Sequence, residues 1–163
     1  AYEIKECDWS SDVCSSDLWS LKMRWWAWRN EGFDGTRPHV RVFVQYYKPV
    51  AGIGLDHSIG LRQGMIVLAN AFASSDNEGG NNVVIAHELL HTFGATDKYD
   101  PENNQPRLPD GYAEPNAVPL YPQNKAEIMG GRIPRSPGEA DIPRSLEQTV
   151  IGPATAREIS WSK

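Results

Sequence analysis

The chain has 163 residues, 40% of them hydrophobic and 23% charged, which suits one globular domain with its own core and not two independent ones. Its formal charge of -5 and pI near 5.3 leave no basic footprint for nucleic acid or for an anionic membrane surface. No apolar stretch reaches the roughly 20 residues that a membrane span requires, and the opening AYEIKECDWS lacks the basic start and apolar run of a signal peptide.

Residues 1–18 are expected to be a non-native or disordered leader. Within them Ser10 to Leu18, SSDVCSSDL, resembles the translation of a sequencing-library adapter, so the natural chain would start near Trp19. Cys7 and Cys14 fall in this leader, without the paired spacing of a thiolate zinc site. Residues 19–163 then make the single domain.

From Trp19 to Arg29, WSLKMRWWAWR, large apolar residues recur among cations with no breaker, which predicts a helix laying an aromatic face on a sheet. Trp beside Lys and Arg is also the composition of an interfacial membrane helix, so any membrane association would run through Trp19 to Arg29. After the turn-like NEGFDGTRP, His39 to Tyr47 reads as a strand with Val40, Val42, Val44 and Tyr46 on one side. Ser58 to Leu61 reads as a short strand and Met65 to Phe72 as a longer one, with Gly64 marking the turn between them.

The polar stretch SSDNEGGNN then leads into NVVIAHELLHTF, a mostly apolar helix that should be buried, with Asn81 or Asn82 as its cap. Gly94 supplies the left-handed residue that stops it. From Asp97 to Gln123 the prolines at 101, 106, 109, 115, 119 and 122 interrupt every element, predicting a long irregular loop that forms one wall of a cleft. Beyond Gly130 and Gly131 the chain reads as partly extended, and it ends in a helix opened by Pro153. The fold class expected is α+β, with a small twisted sheet of about four strands.

His87 and His91 stand four apart, so on a helix of about 3.6 residues per turn their imidazoles project from one face and can grip one metal ion. Glu88, rotated by about one hundred degrees, misses the metal but reaches a water beside it, where a general base belongs. Burying two imidazoles and a carboxylate among Val83, Val84, Ile85, Ala86, Leu89, Leu90 and Phe93 is costly without partners, and a metal supplies them. A catalytic zinc takes three protein ligands and keeps one position open. Gly94 lets the chain return beneath the metal, which ranks Asp97 first as third ligand, ahead of Asp100, Glu127 and Glu114.

HELLHTFGATD, His87-Glu88-x-x-His91-x-x-Gly94-x-x-Asp97, together with EIMGG further on, resembles the metzincin clan of zinc metallopeptidases. The variant is the one with Asp as third ligand, as in the snapalysin-type secreted bacterial proteases. The resemblance implies a zincin-like fold, one catalytic Zn2+ on His87, His91 and Asp97, and Glu88 as general base in peptide-bond hydrolysis. It also implies that Met129 is the Met-turn residue, a hydrophobic floor under the metal. An extended peptide or protein substrate would pair with an edge strand within Met65 to Ala73, in a bacterial extracytoplasmic setting. Two departures stand out: the loop before Met129 is long and Pro-rich, and no Tyr follows Met129 to act as a transition-state donor. Tyr99, Tyr112, Tyr121 and Arg132 are candidates for that role.

The segment DKYDPENNQPRLPDG is rich in oxygen ligands, so Asp100, Glu102 and Asp110 are weighed as a Ca2+ site, although their spacing does not follow an EF-hand loop. Two other functions compete with proteolysis. One is a non-catalytic module whose zinc staples the fold, which would need a fourth protein ligand and has no need for Glu88. The other is a zinc hydrolase acting on a non-peptide amide.

Overall fold

The computed structural model describes residues 21–23, 25–26, 28–29 and 39–162. The adapter-like segment and both cysteines lie outside the described residues. So do residues 19, 20, 24 and 27 of the tryptophan-rich stretch, whose described residues are helical. Trp26 leans on Phe43 with ring centroids 6.3 Å apart, while Trp25 and Trp28 stay more than half exposed. Among the described residues no helix is long and apolar enough to cross a membrane.

The protein is a small mixed α+β structure. Strands β1 (Arg41–Tyr47), β2 (Ile59–Leu61) and β3 (Ile66–Phe72) form one mixed sheet in the order β1-β3-β2, with β1 parallel to β3 and β2 antiparallel to it. It has three strands rather than the expected four. The remaining short strands, β4 (Ala126–Glu127), β5 (Ile133–Ser136), β6 (Glu139–Asp141) and β7 (Thr149–Val150), make two separate pairs, β4 with β7 and β5 with β6. On β1 the expected inward row is only partly covered: Val42 is 40% and Tyr46 64% exposed, and Phe43 on the other face takes the contact with Trp26.

Strand β3 lies between β1 and β2, so of the edge expected within Met65 to Ala73 residues 66–68 are paired on both sides, and only beyond Leu68 does one side lack a strand among the described residues. Its register with β1 runs from Arg41↔Ile66 to Tyr47↔Phe72, and β2 covers residues 66–68 on the other side. Beyond Leu68 side chains replace the missing strand. Ser58 Oγ accepts from Asn70 N–H at 2.9 Å, and the Asn81 amide both accepts from Phe72 N–H and donates to Phe72 C=O. These groups are taken because an unpaired backbone amide or carbonyl is expensive to leave unmet.

The long helix (Glu78–Thr92) packs on β3 and β2 and starts earlier than expected. Asn77 holds the cap position without a side-chain bond, and a 3-10 turn (Ser75–Asn77) capped by Ser74 feeds into it. Gly79 and Gly80 read as breakers in the sequence, yet both are helical. A side chain at Gly79 would stand 2.1 Å from Arg144 C=O, so close packing on the C-terminal half, and not a turn, requires that glycine. The helix is half-buried rather than buried all round: Val83, Glu88, Leu90 and Thr92 are covered, while Val84 and, just past its end, Phe93 face outward.

It stops at a Schellman motif, with Gly94 N–H bonded to His91 C=O and Ala95 N–H to Leu90 C=O, and Gly94 at φ +103°. Leu90, Ala95, Ile128 and Met129 then close a core cluster with Ala86, Ile151 and Ile159 packed against it.

The loop 97–123 is irregular, as expected, but tied down. Gln123, 1% exposed, accepts from Glu114 N–H and donates to Glu114 and Leu120 carbonyls, and its own N–H bonds to Pro134 C=O. Below it, Glu127 is fully buried. One of its oxygens accepts from Met129 and Gly130 N–H, the other from Gly152 N–H and the Thr155 hydroxyl. It thereby joins the Met129 turn to the C-terminal helix (Pro153–Glu158), which does open with Pro153.

Glu158, at the end of that helix, bonds Thr96 and Lys98. Burial alone would raise its pKa, but the Lys98 ammonium and the two Thr96 donors overcome this and hold it below the usual value of 4.5.

Replacing Glu127 with Ala leaves four donors unmet in the core, and at about 1–3 kcal/mol for each buried unmet group the loss should exceed about 3 kcal/mol. At roughly 2–4 °C per kcal/mol, thermal unfolding should drop by about 10 °C, and a midpoint within error of wild type would refute the role given to Glu127. The depressed Glu158 contributes stability that is present above its unfolded value and lost as pH falls through the folded one. Denaturant midpoints should therefore decline below about pH 4.5, and Glu158→Gln should flatten that decline.

Candidate metal centre

His87 and His91 project from one side of the long helix with ring centroids 4.9 Å apart and planes at 81°. Each imidazole is fixed by its inner nitrogen. His87 Nδ1 is 2.9 Å from Ile128 C=O, and His91 Nδ1 is 2.9 Å from Ala95 C=O. A carbonyl only accepts, so Nδ1 carries the hydrogen in both rings and a neutral ring presents a bare lone pair at Nε2. The Schellman turn therefore does two things at Ala95: its N–H ends the helix and its C=O sets the tautomer of His91.

The two Nε2 atoms are 3.2 Å apart, and Asp97 Oδ1 sits 3.1 Å from His87 Nε2 and 3.3 Å from His91 Nε2. Three acceptors thus form a near-equilateral triangle that needs positive charge at its centre. Ligand atoms about 2.0–2.1 Å from a tetrahedral zinc stand roughly 3.3–3.4 Å from one another, so the triangle has the size of one face of such a site. Burial would lower the His91 pKa, but Asp97, Ala95 C=O and Glu88 raise it overall, and burial would raise Asp97, which the two imidazoles hold well below the carboxylate range. The donor set fits a divalent metal of the zinc type.

Glu88 is 9% exposed, and its carboxylate joins His87 and His91 in a cluster whose ligand atoms lie within 4.8 Å of one another. Asp97 Oδ1, at 3.1 and 3.3 Å, lies nearer to both imidazole nitrogens than that limit. Burial raises the Glu88 pKa, opposed by the two histidines and by the Gly60 N–H that donates to it. Gly60 has no room for a side chain, since a Cβ there would lie 2.1 Å from Glu88 C=O. That close approach lets a β2 backbone amide orient the carboxylate.

Tyr99 comes to the same place. Its hydroxyl bonds Asp97, its ring centroid is 6.3 Å from that of His87, and burial and the Asp97 charge push its pKa up to about 12. The other proposed donors are elsewhere engaged or unremarkable. Tyr112 and Tyr121 bond each other at 2.8 Å, and Arg132 has no ion-pair partner among the described residues. Met129, fully buried in the turn Ile128–Gly130, lies in the cluster with Leu90 and Ala95, and Gly131 leaves that turn at φ +72°.

The alternative third ligands are accounted for. Glu127 is buried in the bonds already described, Asp100 Oδ1 accepts from Glu102 N–H, and Glu114 is exposed with its backbone tied to Gln123. For the suggested Ca2+ site, Glu102 and Asp110 are exposed and Asp100 closes its own turn. The roles of Glu127, Glu158 and Gly60 were missed in the sequence. Glu127 had a legible signal, a lone carboxylate between Ala126 and Ile128 in an apolar run before two glycines. Glu158 and Gly60 had none.

Beside His87 and Glu88 a cleft of about 490 Å3 opens, lined by Phe72, Val83, Val84, Ile128, Ile142 and Pro143 among others. The loop 97–123 does not line it, contrary to expectation; residues 55–58 and 142–143 supply walls instead. Comparison with protein-family models, with curated proteins and with solved structures finds no match to this chain.

Proposed function

We propose that the protein is a zinc-dependent peptidase of metzincin type. The observation that carries this reading is the triangle of His87 Nε2, His91 Nε2 and Asp97 Oδ1, all acceptors within 3.3 Å, with a buried carboxylate behind it and a cleft beside it. The bound zinc would act as a Lewis acid on the scissile carbonyl and lower the pKa of water. Glu88, held by Gly60 N–H and raised by burial, takes the proton of the attacking water and returns it to the leaving amine. Asp97 offsets charge at the centre, and Tyr99, bonded to it, supplies a hydroxyl for a developing oxyanion. Met129 would floor the site as the Met-turn residue. The apolar lining of the cleft fits an aliphatic or aromatic side chain of a peptide, which favours peptide over a small polar amide.

A second reading has one observation in its favour: Glu88 lies within 4.8 Å of both histidine nitrogens and could turn inward as a fourth ligand, closing a structural site. The two readings differ in what Glu88 does for the metal. Elemental analysis should give one zinc per chain, reduced in His91→Ala and Asp97→Ala. Glu88→Gln should keep its zinc while peptide-library cleavage falls by about 10^2–10^4-fold. Loss of zinc in Glu88→Gln favours the closed site, and a folded wild type that takes up no zinc rules out both.

A further inference from the structure

Asp97 is the least anchored member of the triangle. The histidines stand on a helix of 15 residues, whereas Asp97 lies outside helix and strand with its side chain 43% exposed. A carboxylate on a loose segment would have to be ordered each time a metal binds, and that entropy would weaken affinity. The residues on either side of it are nevertheless held by one distant group.

Glu158 Oε2 accepts from Thr96 N–H at 2.9 Å, Oε1 accepts from the Thr96 hydroxyl at 2.9 Å, and Oε2 also takes the Lys98 ammonium at 2.7 Å. The ammonium donates back to Thr96 C=O at 3.0 Å, so side chains close a ring around the backbone of Asp97. Lys98 is only 6% exposed, and its own N–H bonds Met129 C=O. A buried ammonium needs its counter-charge, so the clamp cannot open without a large cost.

We propose that Glu158 is a positioning residue for Asp97, holding the third ligand at the metal by gripping the residues before and after it. This rests on the reading of His87, His91 and Asp97 as the metal ligands. Glu158 touches neither metal nor substrate; its effect is on how ready the carboxylate is to bind. Partners that orient a ligand in this way typically alter metal affinity by about 10–100-fold.

The test uses the full chain as wild type, Glu158→Ala, Glu158→Gln and Asp97→Ala. Zinc affinity is measured by competition with a chromogenic chelator, the visible spectrum is recorded with cobalt in place of zinc, and the metal-free proteins are unfolded thermally. Glu158→Ala should weaken zinc by about 10–100-fold and alter the cobalt bands. Glu158→Gln, which keeps one acceptor for Thr96 but loses the second and the charge facing Lys98, should fall between it and wild type. If Glu158→Ala does not fold, Glu158→Gln is read by the same criterion.

Unchanged zinc affinity and an unchanged cobalt spectrum, with only a lower unfolding temperature, would make Glu158 merely structural and overturn the proposal. Failure of the underlying reading looks different: wild type without zinc, or Asp97→Ala binding as tightly as wild type, removes the ligand assignment and the clamp's purpose with it.

Discussion

Two imidazoles one helical turn apart will share a metal only if both aim the same bare nitrogen at the same point. Everything around the long helix serves that constraint. Ala95 C=O and Ile128 C=O each take the inner N–H of one ring, so neither His87 nor His91 can flip its tautomer without losing a bond. One carbonyl comes from the turn that ends the helix and the other from the Met129 turn across the core. The geometry of the triangle is thus inseparable from how the helix stops and from what it packs against.

The C-terminal half has little regular structure, and two carboxylates with unlike surroundings do much of the tying. Glu127 is enclosed by neutral donors, with four hydrogen bonds and, among the described residues, no counter-ion, at the junction of the Met129 turn and the C-terminal helix. Glu158 is nearer the surface and meets a buried cation. The first resembles the hub of a small network whose members are all satisfied, and such a hub specifies one arrangement strongly. The second couples the end of the chain to the segment carrying Asp97.

Much of the site was legible because it is local. His87, Glu88, His91, Gly94 and Asp97 occupy one short stretch, and the helix period and a left-handed glycine relate them without knowledge of the rest. Gly94 does adopt a positive φ and the Asp97 carboxylate does reach both imidazoles. What the sequence concealed depends on contacts made elsewhere. Gly79 stood in a polar, Gly-rich stretch whose helical place is set by its contact with Arg144, and the edge that the resemblance implied within Met65 to Ala73 depends on strand order, which is not written in strand sequence. The cleft walls were assigned to the wrong segment, since nothing in a proline-rich run says which way it folds.

The partners of the metal site are also spread unequally along the chain. Asp97 is 10 residues from His87, Ile128 is 41 residues from it, and Glu158 is 62 residues from Thr96. During synthesis the two histidines and the aspartate therefore leave the ribosome together, before the carbonyl that sets the His87 tautomer and well before the carboxylate that grips the Asp97 segment. A nascent chain would carry all three proposed ligands while lacking the means to hold them in place. On the proposed ligand assignment, tight metal loading would wait until the C-terminal helix has emerged and docked, so that completion of the fold would time the filling of the centre.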